Sequence, residues 1–238
     1  MAKARNDLLD RLTYLALRLV SAALHCFPVD LNLRTARLIG RCMYRLDRRH
    51  RNRALHNLAR SFPEQSEQWR EEMARRSMEH LVMLGVEVLF TTRLLRIDTW
   101  RRYIELDNLR DTVRLLLQRN QPIVMLTGHY GNWEILGYVL ATLGFETVSV
   151  ARPLDNPYIN RWLLGVRERQ GQRILDKKGA IAEVGDLLEN GGTVGFIADQ
   201  NAGNKGLFVD FFGRKASTYK SIGLLAMQYS APVVIGYA

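Results

Sequence analysis

The sequence predicts an α/β fold in which a central, mostly parallel sheet is flanked by helices and preceded by a helical N-terminal region. Short apolar runs recur in the second half of the chain, with helical periodicity between them, and the first half is helical in pattern almost throughout. A chain of 238 residues with 47% hydrophobic content can also bury one substantial core, which argues for a single folding unit.

The N-terminal segment from Leu12 to Phe27 is mostly apolar but is interrupted by Arg18 and His25. It is shorter than the roughly 20 residues that a membrane-spanning helix needs, so we expect it to lie on a membrane surface. No small-residue cleavage site follows a clean apolar core, which argues against a removed signal peptide. We assign residues 1–48 to a basic, membrane-associating helical region and residues 49–238 to the α/β domain.

Positive charge is concentrated in the first half of the chain. Residues 1–120 contain 23 Lys and Arg against 14 Asp and Glu, whereas the remainder contains 11 against 10. Basic residues flank the apolar N-terminal segment: Lys3, Arg5 and Arg11 precede it, and Arg34, Arg37, Arg41, Arg45 and Arg48 follow it at helical intervals. Such a stripe suits anionic headgroups, and a solvated helical face is the ordinary alternative. Nucleic-acid binding is disfavoured, because no zinc-ligand spacing or RNP-like aromatic cluster accompanies the charge.

The cysteines and histidines of the N-terminal half point to no metal site. Cys26 and Cys42 lie inside helical patterns without metal-ligand spacing, which predicts a reducing compartment and no disulfide framework. The histidines there lack suitably spaced acidic or cysteine partners. Helical periodicity continues from His50 to about Arg96, with a break at residues 61–64, and resumes between residues 98 and 120.

Four segments of the second half have the apolar or alternating pattern of strands. They are residues 123–127, 146–151, 193–198 and 232–238. Helical stripes fall between them, beginning near Ile135, Pro157, Ile181 and Tyr219. The region 201–218 contains three glycines and is predicted as a loop, and Ser217-Thr218 is predicted to cap the helix that follows it.

The stretch Gly128-His129-Tyr130-Gly131-Asn132-Trp133-Glu134 follows the first predicted strand, where open α/β sheets place ligands and chemistry. Because right-handed β-α-β units put strand ends on one side of a sheet, the strand at 193–198 should bring Asp199 to the same edge as His129. Residues five apart on a regular helix point in different directions, so His129 must lie in the turn. With Asn132 as the N-cap, Glu134 falls in the first helical turn and could reach back to the imidazole. The pair would then act as a general base, or alternatively His129 is a buried histidine satisfied by a neighbour.

These residues resemble the H-x4-D/E motif of the lysophospholipid acyltransferase superfamily. Together with Arg152-Pro153, Asp199-Gln200 and the tract from Gly206 to Gly213, the glutamate form of the motif is similar to the late acyltransferases of bacterial lipid A biosynthesis. The resemblance runs from about Arg51 to the end of the chain. Asp210 and Lys215 depart from it, because proline is frequent there in the family.

The resemblance implies direct acyl transfer from a thioester of acyl carrier protein or coenzyme A to a lipid hydroxyl, at the cytoplasmic face of the bacterial inner membrane. It implies His129 as the base, Glu134 as its support, and no metal or redox cofactor. It further implies a substrate-binding set of Arg152, Arg167, Arg169, Asp199, Gln200 and Asn132. Phe208, Phe211 and Phe212 could line an acyl-chain groove or close the core beneath it. No Gly-x-Ser-x-Gly elbow suggests a covalent nucleophile.

Three functional hypotheses remain open from the sequence. In the first, the protein is an acyltransferase whose acceptor is a lipid A precursor or related glycolipid. In the second, the reaction is the same, but the acceptor is a lysophospholipid, glycerol phosphate or phosphatidylinositol mannoside. The third hypothesis is a non-enzymatic, basic protein that binds a membrane surface or nucleic acid. Because family members normally continue beyond the strand at 232–238, we also expect the sequence to be truncated at Ala238.

Overall fold

The computed structural model describes residues 6–118, 120–177 and 179–238 and has the predicted α/β fold. Lys3 and Arg5 therefore lie outside the described residues. The first half is helical, as predicted, with its break at residues 62–66. Its helices are α1 (Asp7–His25), α2 (Val29–Leu46), α3 (Arg48–Ser61), α4 (Glu67–Leu94) and α5 (Arg110–Leu117).

The second half of the chain alternates strands with helices. Its strands are β1 (Ile123–Thr127), β2 (Val148–Ala151), β3 (Arg173–Asp176), β4 (Thr193–Ile197), β5 (Leu207–Phe211), β6 (Arg214–Thr218) and β7 (Val233–Ile235). Its helices are α6 (Trp133–Thr142), α7 (Pro157–Arg167), α8 (Ala180–Glu189) and α9 (Lys220–Gln228). Five strands form a parallel sheet in the order β3-β2-β4-β1-β7, and β5 and β6 form a separate two-stranded sheet.

The two faces of the parallel sheet differ, because successive residues of a strand point to opposite sides. Val124 and Val194 are fully buried on one face, where they belong to the same apolar cluster as Val184 of α8. Met125 and Gly195 are paired in register on the opposite face, which α6 covers. His129 and Asp199 follow the carboxyl ends of β1 and β4.

Three elements differ from the sequence prediction. β3 was not predicted, because a four-residue edge strand with a charged residue at each end lacks a clear apolar pattern. The region predicted as a loop before α9 contains the β5–β6 hairpin. The capping role of Ser217-Thr218 is wrong, because both residues belong to β6 and Tyr219 occupies the N-cap position of α9.

The described chain divides into two compact units. One contains residues 6–19, 91–206 and 218–238, and includes the five-stranded sheet with α5 to α9. The other contains Val20–Phe90 and Leu207–Ser217, and includes α2, α3 and the β5–β6 hairpin. We refer to them as the sheet unit and the helical unit.

Helix α1 has no buried residue, and large apolar side chains are exposed along it. The exposed set is Leu8, Leu9, Leu12, Leu15, Leu19 and Val20. Within the described residues, none of the helices combines the length and apolarity needed to cross a membrane.

Candidate active site

His129 and Asp199 follow neighbouring parallel strands. Thr127 of β1 is paired in register with Ile197 of β4, so His129 and Asp199 each lie two residues beyond a matched pair. Both residues therefore reach the carboxyl edge of the sheet at the same level, where α/β proteins bind ligands. Sequence reasoning placed Asp199 at this edge, and the structure brings it into direct contact with His129.

Asp199 holds residue 129 through both of its carboxylate oxygens. Its Oδ1 is 2.7 Å from Nδ1 of the His129 ring, and its Oδ2 accepts a hydrogen bond of 2.6 Å from the His129 backbone N–H. Because a carboxylate only accepts, Nδ1 donates in this contact, and in the neutral imidazole Nε2 then keeps its lone pair. The side chains are 36% and 44% exposed, so the imidazole is open to a substrate.

Gly128 makes this close approach possible. A Cβ atom at this position would lie 3.0 Å from Oδ2 of Asp199 and 3.2 Å from its Cγ. Asp199 would then have to shift by a few tenths of an ångström, which would disturb both hydrogen bonds to residue 129. The glycine before the histidine is thus part of the geometry that orients the ring.

Glu134 makes its contacts with Arg167 and Trp133. Nε and Nη2 of Arg167 donate to the two oxygens of Glu134 at 2.9 and 2.8 Å, and the Trp133 indole N–H donates to Oε1 at 3.2 Å. The predicted contact between Glu134 and the imidazole is therefore not made in this structure, where Asp199 contacts Nδ1 instead. The physical reason is a stronger partner, because the bidentate fork of an arginine matches both carboxylate oxygens.

Trp133 lies between the His129–Asp199 pair and the Glu134–Arg167 pair. The sequence analysis did not single it out. Its ring centroid is 4.8 Å from that of His129, with the planes inclined at 64°. Its indole nitrogen contacts Glu134, and the Glu134–Arg167 pair is largely buried, with side chains 16% and 17% exposed. Glu134 therefore reaches His129 through an intervening tryptophan. The position of Trp133, one residue before Glu134 in a helix start, was the signal available in the sequence.

The remaining residues of the predicted substrate set are spread over the sheet unit. Gln200 is exposed next to Asp199, and Asn132 is buried at the N-cap position of α6, where its side chain makes no capping bond. Arg152 follows β2 and hydrogen-bonds Asp155 at 3.0 Å. Arg169 is exposed in a separate cleft. That cleft is lined by Thr92, Arg93, Arg96, Arg169 and Gln170.

The three phenylalanines predicted near an acyl chain lie on the β5–β6 hairpin of the helical unit. Phe208, Phe211 and Phe212 are 55%, 61% and 53% exposed. Phe212 packs against Phe62 with ring centroids 4.9 Å apart, and against Phe211 at 4.5 Å. They therefore form an exposed aromatic surface rather than a closed core.

An apolar cavity of about 110 Å³ lies within the sheet unit, between α6 and the sheet. From α6, Trp133, Leu136, Gly137 and Leu140 line it, a spacing that places them on one face of the helix. The Glu134–Arg167 pair also lines it. Because Trp133 contacts both His129 and this cavity, the cavity begins next to the candidate base.

Chemically, this arrangement suits proton abstraction from a hydroxyl. An imidazole with a free Nε2, a carboxylate behind Nδ1 and an apolar cavity beside it are the parts of a general-base site that handles an apolar substrate. Within the described parts of the chain, no cluster of three or more histidine, cysteine or acidic side chains is arranged to hold a metal ion.

The known proteins that this chain resembles are named for lipid A biosynthesis. The family model for bacterial lipid A biosynthesis acyltransferase matches residues 3–236. Lipid A biosynthesis acyltransferase 2 of Shigella flexneri is 26% identical over 220 residues, which is 90% of this chain and 68% of that protein. The lipid A biosynthesis myristoyltransferase and lauroyltransferase of Escherichia coli K12 are 27% and 28% identical, over 82% of this chain and 60% and 63% of theirs.

The fold and the site thus define an α/β protein with a histidine–aspartate pair at the carboxyl edge of a parallel sheet. This chain belongs to the bacterial lipid A biosynthesis acyltransferase family. It spans roughly three-fifths to two-thirds of the length of the curated relatives it matches.

Proposed function

We propose that this protein is an O-acyltransferase that moves a fatty acyl chain from an acyl thioester to a hydroxyl of a lipid A precursor or related glycolipid. The observation that carries the proposal is the contact between Asp199 and Nδ1 of His129, which leaves Nε2 free at the sheet edge. The relatives named as lauroyl- and myristoyltransferases support the choice of a fatty acyl donor.

In the proposed reaction, Nε2 of His129 takes the proton of the acceptor hydroxyl as its oxygen attacks the thioester carbonyl. Asp199 accepts the hydrogen bond from Nδ1–H and stabilises the imidazolium that forms. The tetrahedral intermediate collapses with cleavage of the carbon–sulfur bond, and the departing thiolate takes the proton from Nε2. The products are an ester and a free thiol, so the imidazole is restored without a covalent acyl-enzyme.

Glu134 enters this proposal as a positioning residue. Its pair with Arg167 ties α6 to the end of α7, and its contact with the Trp133 indole fixes the ring that packs on His129. Arg167 is engaged by this pair, so we propose Arg152, Arg169 and Gln200, which are exposed, for phosphate or sugar groups of the substrates. Asn132 belongs to the loop that holds the base.

We also propose that the protein works at an anionic membrane surface, at the cytoplasmic face of the bacterial inner membrane. On α2, Asn32, Ala36 and Gly40 form the buried stripe. The predicted arginine stripe is exposed. The apolar side chains of α1 are exposed as well. Exposed arginines suit acidic headgroups, and exposed apolar side chains suit the lipid beneath them. The exposed phenylalanines of the hairpin are proposed as further contacts for lipid chains.

Purified protein incubated with labelled acyl thioesters and a panel of acceptors tests the proposal. The donors are acyl carrier protein and coenzyme A thioesters, and the acceptors are a lipid A precursor, lysophosphatidic acid, glycerol phosphate and a phosphatidylinositol mannoside. We expect ester formation by the wild type and by His56→Ala, an exposed histidine on α3, and its loss in His129→Ala. Equal labelling of lipid by His129→Ala would remove the catalytic assignment and leave a non-enzymatic basic surface protein as the better account.

A further inference from the structure

The cavity under α6 has a polar inner end. The sheet residues that face it follow from the register, in which Ser149 is paired with Ile174 and Gly195. One pleat closer to the amino edge of the sheet, Thr147 and Gln172 also line the cavity. At the carboxyl edge its lining includes Ala151, Thr127 and Glu134. From Thr147 to Ala151 the cavity follows about 13 Å of strand, at about 3.3 Å per residue.

The polar groups at the inner end are buried and incompletely paired. Thr147 is 4% exposed and Gln172 is 7% exposed. Nε2 of Gln172 donates to Ser149 Oγ at 2.9 Å, but Oγ1 of Thr147 and Oε1 of Gln172 have no hydrogen-bond partner among the described residues. The buried amide oxygen requires a donor and the buried hydroxyl a donor or an acceptor, and a hydrocarbon chain supplies neither.

Glycines shape the space around these side chains. A Cβ atom on Gly137 of α6 would lie 1.9 Å from Nε2 of Gln172, so glycine at this position leaves room for the amide. Gly195 of β4 lies at the middle of the cavity, where an added Cβ would meet Ser149 Oγ at 3.1 Å and Val148 O at 3.8 Å. The cavity is therefore deep only because two lining positions carry no side chain.

We propose that Thr147 and Gln172 set the length of the acyl chain that the enzyme accepts. The proposal rests on the proposed function, in which the thioester carbonyl reacts at His129 and the chain enters the cavity past Trp133. An apolar chain gains free energy along the cavity until it reaches the two oxygens. Further methylenes would cover unpaired polar atoms, so binding becomes unfavourable there. At about 110 Å³, the cavity takes the distal part of the chain, since about 150 Å³ accommodates a benzene molecule.

Competition among saturated acyl thioesters of increasing length tests this assignment. Gly195→Ala places a methyl group halfway along the cavity and should shift preference to shorter chains, by roughly 10- to 200-fold in relative kcat/KM per lost methylene contact. Thr147→Val keeps the shape and removes the oxygen, and should shift preference to longer chains; Gln172→Met added to it should increase the shift. Gly165→Ala on α7, where an added Cβ meets nothing within 4 Å, is the control and should keep the wild-type profile.

Two outcomes would overturn the proposal. An unchanged length profile in Gly195→Ala would mean that the chain does not enter this cavity, and an unchanged profile in both polar variants would mean that water satisfies the oxygens without limiting the chain. Calorimetric titration with free fatty acids of the same lengths keeps this test separate from the proposed function. If the wild type transfers no acyl group but binds fatty acids with a length limit that Thr147→Val relaxes, the proposed function fails and the length assignment stands.

Discussion

Each unit of the molecule contains a largely buried glutamate paired with arginine, and the two pairs differ in what they hold in place. In the helical unit, Glu79 of α4 accepts hydrogen bonds from Arg41 of α2, at 3.0 Å, and from Arg75. In the sheet unit, Glu134 accepts two from Arg167. The Glu79 and Glu134 side chains are 9% and 16% exposed, so removal of either charge would leave arginine short of a partner.

The neighbours of each pair account for the difference. Glu79 lies at a close approach of α2 and α4, because a Cβ atom on Gly40 would be 2.4 Å from the Glu79 Cα atom. Its pair therefore secures helix packing. Glu134 contacts Trp133, which packs on His129, so the second pair helps to orient the imidazole of the candidate site. The neighbouring side chain thus determines what each ion pair holds in place.

We expect the largest decrease in kcat from substitution of Asp199, larger than from substitution of Glu134 or Glu79. Asp199→Asn should lower kcat by about 10² to 10⁴, the range that general-base catalysis contributes, because an amide does not stabilise the imidazolium as a carboxylate does. The unfolding transition should move little, since the contact is partly exposed. Steady-state transfer assays and thermal unfolding measure both quantities, with Asp111→Asn, a side chain 87% exposed, as the control. A wild-type kcat in Asp199→Asn would mean that Asp199 does not support the imidazole and would favour Glu134 as its support.

Glu134→Gln should destabilise the protein by about 3–5 kcal/mol, the cost of removing one partner of a buried ion pair. Because Trp133 and Arg167 would then share a single neutral amide oxygen, kcat per folded molecule should also fall, but less than in Asp199→Asn. Urea denaturation and transfer assays on the same samples give the two numbers. Addition of Arg167→Met should recover part of the stability and none of the rate, whereas recovery of both would contradict a positioning role.

Glu79→Gln should cost a similar amount of stability and leave kcat per folded molecule unchanged. Burial raises the pKa of Glu79, but hydrogen bonds and charges from Arg41 and Arg75 outweigh this and hold the pKa below its ordinary value. A carboxylate with a lowered pKa in the folded state stabilises the fold above its unfolded-state pKa, and this contribution is lost as pH falls through the folded-state value. The difference between wild type and variant in urea denaturation should therefore shrink on acidification, and a constant difference would refute the electrostatic explanation.

We expect the smallest effect from a change at Trp133, which lies between Glu134 and His129. Trp133→Phe keeps an aromatic ring beside His129 and removes the indole N–H donor to Glu134. The loss should be about 1.5–3 kcal/mol of stability, as for a hydrogen bond to a charged group, with a smaller decrease in kcat than in Glu134→Gln. Denaturant titration measures the free energy of unfolding of Trp133→Phe, and steady-state transfer assays measure its kcat. A decrease in kcat larger than that of Glu134→Gln would mean that the indole itself contacts substrate.

The sequence predicted the position of the site better than its contacts. β1 was predicted with its observed bounds, because an apolar run after Pro122 has few other interpretations, and parallel strands implied that His129 and Asp199 share an edge. The carboxylate that faces the imidazole depends on side-chain directions set by tertiary packing, so Glu134 was chosen for its proximity in sequence. The cavity was missed for a related reason, since its lining comes from six separate elements.

His129 and Asp199 are 70 positions apart in the chain, yet their contact requires two neighbouring strands in correct alignment. The segment between them must therefore fold back before any activity exists, and closing so long a loop has an entropic cost that slows such steps. Recovery of acyl transfer after dilution from denaturant should accordingly lag behind the return of helical circular dichroism. The return of acyl transfer during refolding would thus mark the assembly of the parallel sheet.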